Sequence, residues 1–525
     1  MIKKLLQLIY SALDKILTDT DNTAFSEITL SDVMMDAIEL WRQMYKDESP
    51  WLNDDAGVYS LGLAKEICRE IQQQVLSEID TRIVEQGKES DVNDVDINDV
   101  KLNVSRASYL NEIYLKKFIA KLPNALEKAM ALGGMIVKPY FSNDQIYFDF
   151  CYQGEFYPLN FDEDGNVIDI AFYDSFISNG FVYTKIERQS FDYSARTITV
   201  TNKAYKAKRR TADDNIEQDL GTEIPLESVS QWQNLEEETT INNVEKPLYG
   251  YFKIPTANNI DMKSPLGISI FSSAVSLIQR ADEQFSRLDW EYKGGQLAID
   301  VDPTAVTYSE TYFKTDIEMD NCQKRLYRKL DLGSDETYNA WAPALRDANY
   351  INGLNAYKCL IEDVIGVSRG TISEPAYDAK TATEIKLSKQ RSYITISAIQ
   401  DSLGETIKDI IYAVNVLVDL YSLAPYGEYD VIVEWKDSIL TDTDTELTQK
   451  LELQNAGILS KAEVRAWYNG ESLATAQAEI DKMEKANQSK MLNDIYGGLP
   501  TATLENNGVD DETDAEKQPS QEEEE

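Results

Sequence analysis

Over most of the first 132 residues, apolar positions recur three and four apart with charged positions between them. Residues 31–44 and 61–78 carry this spacing, which predicts amphipathic helices. At the amino terminus Ile2, Leu5, Leu6, Ile9, Leu13, Ile16 and Leu17 form a further helical stripe. Gln7, Ser11, Asp14 and Lys15 interrupt the apolar run that a signal peptide would need. This segment reads as a helix packed on its own protein or on a neighbour, with membrane-surface binding as the alternative. The acidic stretch DVNDVDINDV at 91–100 reads as a solvated loop or edge strand. It lacks the glycine that the sixth position of an EF-hand loop requires.

From Gly133 the period changes to two. The runs 146–152, 166–173, 181–187 and 197–202 are β-branched and aromatic with alternation, and Asp164-Gly165 between two of them is a hairpin signal. They predict an antiparallel sheet with one face on a core. The basic run KAYKAKRR at 203–210 follows, read as an exposed hairpin or edge strand. Contact with an acidic neighbouring subunit or with nucleic acid is the alternative.

Helical spacing then returns. Ser264-Pro265 places an N-cap residue before Pro at a first helical position, and Leu266 to Tyr292 keep an apolar stripe to a stop at Gly294-Gly295. That predicts one helix of about 45 Å. Residues 296–345 interrupt it with strand-like LAIDVD and KRLYRKL, and a second helix follows near 348–365. A small strand-bearing insert thus sits between two helices. Gly366 ends the second helix, and 367–380 form a 14-residue loop, longer than the usual helix–helix connection. Thr381-x-x-Glu384 is a capping box opening a helix of about 40 residues, with Gly404 as a point where it can kink. YDVIVEWKD (429–437) is a strand expected to return to the earlier sheet. Ser460 and Glu463 form a second capping box, Asn469-Gly470 is a stop, and 473–492 is another helix. Residues 505–525 carry ten acids and one lysine, a composition that predicts a disordered tail.

The composition removes several chemistries. Histidine is absent, so imidazole bases, Ser-His-Asp and Cys-His nucleophilic sites and H-E-x-x-H zinc sites cannot be built from this chain. Four cysteines (68, 151, 322 and 359) without a C-x-x-C pair read as small buried hydrophobes in a reducing compartment. No apolar run approaches the ~20 residues that span a bilayer; the richest, 410–420, is broken by Asn415. Phosphate-binding glycine loops and nucleophile elbows are missing. Carboxylate pairs such as Asp162/Asp164 and Asp300/Asp302 carry little weight, because 91 acids give roughly 16 acid-x-acid pairs by chance. Asp164 is better explained by its turn, and Asp300/Asp302 by the solvent face of a strand. No cofactor or metal is indicated. A net charge of −40 argues against wrapping nucleic acid.

The order of these parts resembles the portal proteins of tailed bacteriophages, of the kind found in long-tailed phages of Gram-positive bacteria. The resemblance is carried by KIPTANNIDMKSPLGISIF (253–271), GVSRGTISEPAYDAKTATEI (366–385) and the IL-S-KAEVRAWYNG segment (458–470). It implies an α+β portal fold and a non-enzymatic structural role. The parts would be a wing of helices (1–132) and sheet (133–262), stem helices (263–295 and 346–366), a clip (296–345), a tunnel loop (367–380), a long wing or tunnel helix (381–423), a returning wing strand (424–440), a helical crown (441–496) and the acidic tail (497–525). It further implies a ring of twelve subunits at one capsid vertex, through which double-stranded DNA passes without sequence recognition. The ring would assemble in the host cytoplasm and remain in the virion. Its partners would be the packaging terminase, a head-tail connector or adaptor, and the major capsid and scaffold proteins, with no membrane. Ser368, Arg369, Thr371, Ser373, Glu374 and Lys380 would face the DNA tunnel; Lys324, Arg325, Arg328 and Lys329 would form the clip docking surface. A carboxylate- or metal-dependent nuclease-type enzyme, or another virion structural protein, remains the alternative.

Overall fold

In a computed structural model the described residues are 30–53, 57–77, 79–86, 105–209, 220–301, 327–329, 338–375, 382–435, 443–469 and 473–496. The amino-terminal stripe at 1–17, the acidic stretch at 91–100 and the tail lie outside them. Helix α1 (Asp32–Tyr45) starts where Ser31 accepts a hydrogen bond from Met34 N, and buries Met34, Ile38 and Trp41. Helix α2 (Leu63–Leu76) buries Ile67, Cys68, Ile71 and Val75, the apolar stripe read from the sequence. Between the helices of this region runs a strand that helical spacing does not predict, β1 (Ile79–Glu85). Helix α3 (Arg106–Ile113) widens into a π-helical turn, and α4 (Leu122–Leu132) ends at Gly133 in the left-handed conformation.

Two antiparallel sheets follow. Strands β2 (Gly134–Ser142) and β3 (Gln145–Tyr152) form a hairpin. The larger sheet runs through β4 (Phe156–Phe161), β5 (Val167–Ser178), β6 (Phe181–Asp192) and β7 (Thr197–Lys208), with β8 (Thr222–Ile224) and β9 (Glu238–Asn242) both paired to the far side of β7. The Asp164-Gly165 turn joins β4 to β5. Asp162 organises it by accepting from the amides of Asp164 (3.0 Å) and Asn166 (2.7 Å), so the acids there serve a turn. The basic run at 203–208 is neither hairpin tip nor edge: β7 is interior, because the chain returns twice to cover it. Strand β10 (Gly250–Lys253) adds to β2. Cys68 and Cys151 are buried.

The segment after β10 corrects the sequence reading most plainly. Ser264-Pro265 opens no helix; α5 is Val275–Gly294, 20 residues and about 30 Å, after a 3-10 turn at 272–274. Residues 264–271 are kept out of a helix because other elements claim polar groups of this stretch. Ile270 N donates to Met130 O (3.0 Å), and Gln153 Nε2 donates to Gly267 O (3.0 Å). Ser264 Oγ accepts from Leu266 N instead of capping a helix. The backbone of Gly267 lies directly on that of Gly133. A Cβ at Gly267 would stand 2.1 Å from Gly133 O, and one at Gly133 2.7 Å from Gly267 O.

Strands β11 (Ala298–Val301), β12 (Tyr327–Lys329) and β13 (Tyr338–Trp341) form a small mixed sheet, β12 parallel and β13 antiparallel to β11. Helix α6 (Asp347–Ile365) packs beside α5. At the base of this pair Glu291 receives Arg346 on both carboxylate oxygens (3.1 and 2.8 Å). Higher up, Asp282 is 2% exposed and accepts from Trp51 Nε1 (2.9 Å) and Leu61 N (2.8 Å), while Ser286 Oγ accepts from Tyr59 N (2.9 Å). The chain around 51–61 is thereby fastened to α5. Helix α7 (Ala382–Leu420) has 39 residues and is about 58 Å long. Its predicted opening at Thr381 and Glu384 lies outside the described side chains. Strand β14 (Tyr429–Trp435) pairs with β1 in a two-stranded sheet, not with the larger sheet. The alternation of Ile79, Thr81 and Ile83 was the signal for its partner. A separate unit holds helices α8 (Thr443–Asn455), α9 (Lys461–Asn469) and α10 (Leu473–Tyr496). Here the second capping box is formed: Ser460 N donates to Glu463 (2.6 Å) and Glu463 N to Ser460 Oγ (3.1 Å).

The Gly133–Gly267 crossing generates a direct test. Gly267→Ala forces a methyl onto backbone that has no room to move and should cost about 1–3 kcal/mol in denaturant unfolding. Gly353→Ala, inside α6, meets only the end of the Gln284 side chain at 3.1 Å. It should be neutral or stabilising by up to about 1 kcal/mol.

Candidate functional site

The loop that follows α6 is shaped by one buried carboxylate. Helix α6 ends at Gly366, whose φ of 87° is left-handed, and Gly370 (φ 94°) turns the chain back. Glu362, in the last turn of α6, is fully buried (0% exposed). Its Oε1 accepts from the amides of Ile372 (2.6 Å), Ser373 (2.9 Å) and Gly370 (3.2 Å). Its Oε2 accepts from Ser373 Oγ (2.7 Å) and Gly370 N (3.3 Å). A buried carboxylate is tolerated only when its oxygens are met by donors, and here three amides and a hydroxyl do so. Two more side chains on the same stripe of α6 assist: Asn355 Oδ1 accepts from Glu374 N (2.8 Å), and Lys358 Nζ donates to Ile372 O (3.2 Å).

The start of the loop is tied to α7. Ser392 Oγ accepts from Ser368 N (2.7 Å), and Thr395 Oγ1 donates to Gly366 O (2.7 Å). Beside them Asp363 sits between two guanidinium groups, Arg369 (2.7 Å) and Arg391 (3.0 Å). The hydrogen bond from Arg369, outweighing partial burial and helped by Arg391, holds the Asp363 carboxyl below the usual carboxylate range. The end of α6, residues 366–375 and the α7 residues 391–395 are therefore joined through hydrogen bonds and ion pairs.

Five of the six residues assigned to this loop from the sequence are brought together here. Ser368 and Thr371 make a local turn, Thr371 Oγ1 donating to Ser368 O (2.6 Å). Ser373 is buried against Glu362, Glu374 is exposed, and Arg369 faces Asp363. Lys380 lies outside the described residues. Of the other basic group, Lys324 and Arg325 also lie outside; Arg328 and Lys329 fall on β12, in register with Asp300 and Val301. Sequence reasoning missed Glu362, Asp363, Arg391, Ser392 and Thr395. The available signal was electrostatic: two acids in the last turn of a helix oppose its macrodipole and call for donors beyond the helix.

A second feature is apolar. On α5 and α6 the side chains of Trp290 (68%), Ile351 (43%), Leu360 (46%) and Val364 (46%) are exposed. Within the single chain these four side chains stay uncovered.

Glu362→Gln keeps the shape and removes the charge on which three amides converge. Hydrogen exchange at the Gly370, Ile372 and Ser373 amides should speed up roughly tenfold or more, as for loss of charged hydrogen bonds of about 1.5–3 kcal/mol each. Protection elsewhere in α6 should be nearly unchanged.

Residues 61–491 match the family model described as Phage portal protein, SPP1 Gp6-like. No curated protein matches the chain. The match takes in both sheets, the α5–α6 pair with its insert, the clasped loop and α7, and so spans most of the sequence. The chain belongs to the SPP1 Gp6-like family of phage portal proteins.

Proposed function

We propose that the chain is a portal subunit that closes, with about eleven copies of itself, into a ring around a DNA channel at one capsid vertex. Membership of the portal family supports the structural, virion-borne part of this reading. Its mechanistic part rests chiefly on the exposed apolar residues of α5 and α6, which a neighbouring copy would cover. In this reading α5 and α6 are the stem, 296–345 the clip, 367–380 the tunnel loop, α7 the helix behind that loop, and 441–496 the crown. The terminase, and later a head-tail connector, dock on the clip, with Lys324, Arg325, Arg328 and Lys329 as the contacts.

The charge balance suits a channel. Each copy contributes −40, so a ring is strongly anionic. A wall of that sign repels phosphate and lets the duplex slide, whereas a basic wall would bind it with steep salt dependence. The positive groups in the loop are few, and Arg369 shares its charge with Asp363. Weak contact from Arg369 and Lys380 centres the duplex without holding it.

Native mass spectrometry or light scattering tests the ring. A particle about twelve times the 59.5 kDa chain supports it. A species that stays monomeric even with capsid and scaffold proteins present overturns it. The loop assignment has its own test: Arg369→Glu with Lys380→Glu should change packaging efficiency by roughly twofold to tenfold while the ring still assembles. Loss of assembly instead would place these residues in a subunit contact.

A further inference from the structure

The two-stranded sheet of β1 and β14 ends in an open edge. Its register is unbroken from Ile79 opposite Trp435 to Glu85 opposite Tyr429. Two bonds fix the phase of the ladder. Gln86 N donates to Glu428 O (3.4 Å), which continues the ladder at the even positions of β14. Ile83 N turns away from β14 and donates to Asn111 Oδ1 (3.4 Å). The backbone groups of Asp430, Ile432 and Glu434 therefore face β1, and those of Tyr429, Val431 and Val433 face outward. Among the described residues, no hydrogen bond reaches the outward amides and carbonyls of Val431 and Val433.

Several other strand edges in the chain are guarded. Strand β4 carries Pro158 and loses register between Pro158 and Phe161, β8 is three residues long, and on β3 the Lys117 ammonium takes Ile146 O (3.0 Å). Strand β14 has seven residues, no proline and no bulge. Its side chains divide by face. Val431 and Val433 are half-buried and pack toward the core, Val433 lying against Gly404 of α7. Asp430 and Glu434 are exposed on the opposite face, which they share with Asp80 and Arg82 of β1. Arg82 is taken by Glu434 (2.7 Å) and Asp80 (3.5 Å). Asp430 makes no ion pair among the described residues.

We propose that this edge takes up an extended segment of another protein as a third strand, apolar where it faces Val431 and Val433 and basic where it faces Asp430 and Glu434. Two strands make a marginal sheet, and a third supplies partners for the outward main-chain groups. In an antiparallel arrangement the guest residues opposite Asp430, Ile432 and Glu434 fall at non-hydrogen-bonded positions. There cross-strand side chains come closest, about 4.5–5.5 Å between Cβ atoms. Charge selects the occupant. A second copy adding its own β14 in full overlap, centred on Ile432, would set Asp430 against Glu434 twice, and like charges so placed repel. Lysine or arginine at those positions meets the carboxylates instead. Valine or isoleucine between them extends the apolar layer of Val431 and Val433.

Amide exchange and peptide binding on the full chain test this. In the free chain the Val431 and Val433 amides should exchange roughly tenfold or more faster than those of Asp430 and Ile432, which are bonded to β1. The probe is a capped synthetic peptide with the core Lys-Val-Thr-Val-Lys. At saturation it should slow exchange at Val431 and Val433 by roughly tenfold, and its fluorescence anisotropy, when labelled, should show saturable binding. A counterpart with Glu in place of both lysines should bind about tenfold more weakly. N-methylation of the two valines of the probe, whose amides face β14 in the proposed register, should abolish binding. N-methylation of its two lysines, whose amides face away, should leave binding nearly unchanged. Asp430→Lys, at an exposed position, should lower affinity for the lysine peptide about fivefold and raise it for the Glu counterpart. Protection of Val431 and Val433 in the free chain overturns the proposal, as do absent binding, equal binding of the two peptides, or equal effects of the two N-methylations. Binding to the single chain that vanishes in an assembled ring also overturns it, since the edge would then belong to a contact between copies. The measurements need no ring, so a failure of the ring reading leaves them intact.

Discussion

Most of a protein helix's stability comes from packing its apolar face, and the larger unit is organised around how the 39-residue α7 hides its apolar stripe. Ile396, Ile399, Leu403, Ile407, Ile410 and Val414 are all nearly inaccessible. At about 1.5–3 kcal/mol for each buried side chain, this stripe is a dominant stabilising term. The elements that cover it have been cut to fit. Gly250 of β10 has no side chain because a Cβ there would lie 2.6 Å from Ile410 and 2.7 Å from Thr406 O. The hydroxyls of Ser402 and Thr406 donate to the carbonyls of Lys253 and Tyr251. Gln400 reaches Val75 O at the end of α2, and β14 lies against Gly404. Strands β10, β2 and β14 and helices α2 and α3 all pack against this one helix.

The sequence disclosed whatever depends on period and local chemistry. The stripes of α1, α2, α6 and α7 lie where three-four spacing puts them, and the β5–β7 strands where alternation does. The Ser460–Glu463 box closes as local rules require. Elements decided by distant partners escaped. Ser264-Pro265 has good helix-start chemistry, but its neighbours' amides and carbonyls are taken by Met130, Gln153 and Tyr251. Strand β1 pairs with a strand some 350 positions away, a distance over which periodicity carries no information. The position of the candidate loop was legible from its length and its two glycines. Its mechanism was not, because Glu362 looks like any surface acid until the loop folds back over it.

The α5–α6 pair is fastened at two places. Near the base Arg346 grips Glu291, joining the exit from the small sheet to the end of α5. Near the middle Asp282 and Ser286 hold the chain around 51–61. Burial raises the Asp282 carboxyl above its usual range, with the donors from Trp51 and Leu61 only partly offsetting the cost. That helix is therefore referenced to the amino-terminal layer as well as to its helical partner. Displacement of the small sheet would be felt along α5 as a whole.

The clasp at Glu362 recognises amides, which every residue except proline possesses. Apart from the Ser373 hydroxyl, the loop meets Glu362 through main-chain donors at 370, 372 and 373. Positions 369, 371 and 374 contribute no side-chain atom to the Glu362 contacts. Contour and surface chemistry are thus separable variables here: evolution can re-dress what the loop presents to its surroundings while its curvature stays the same.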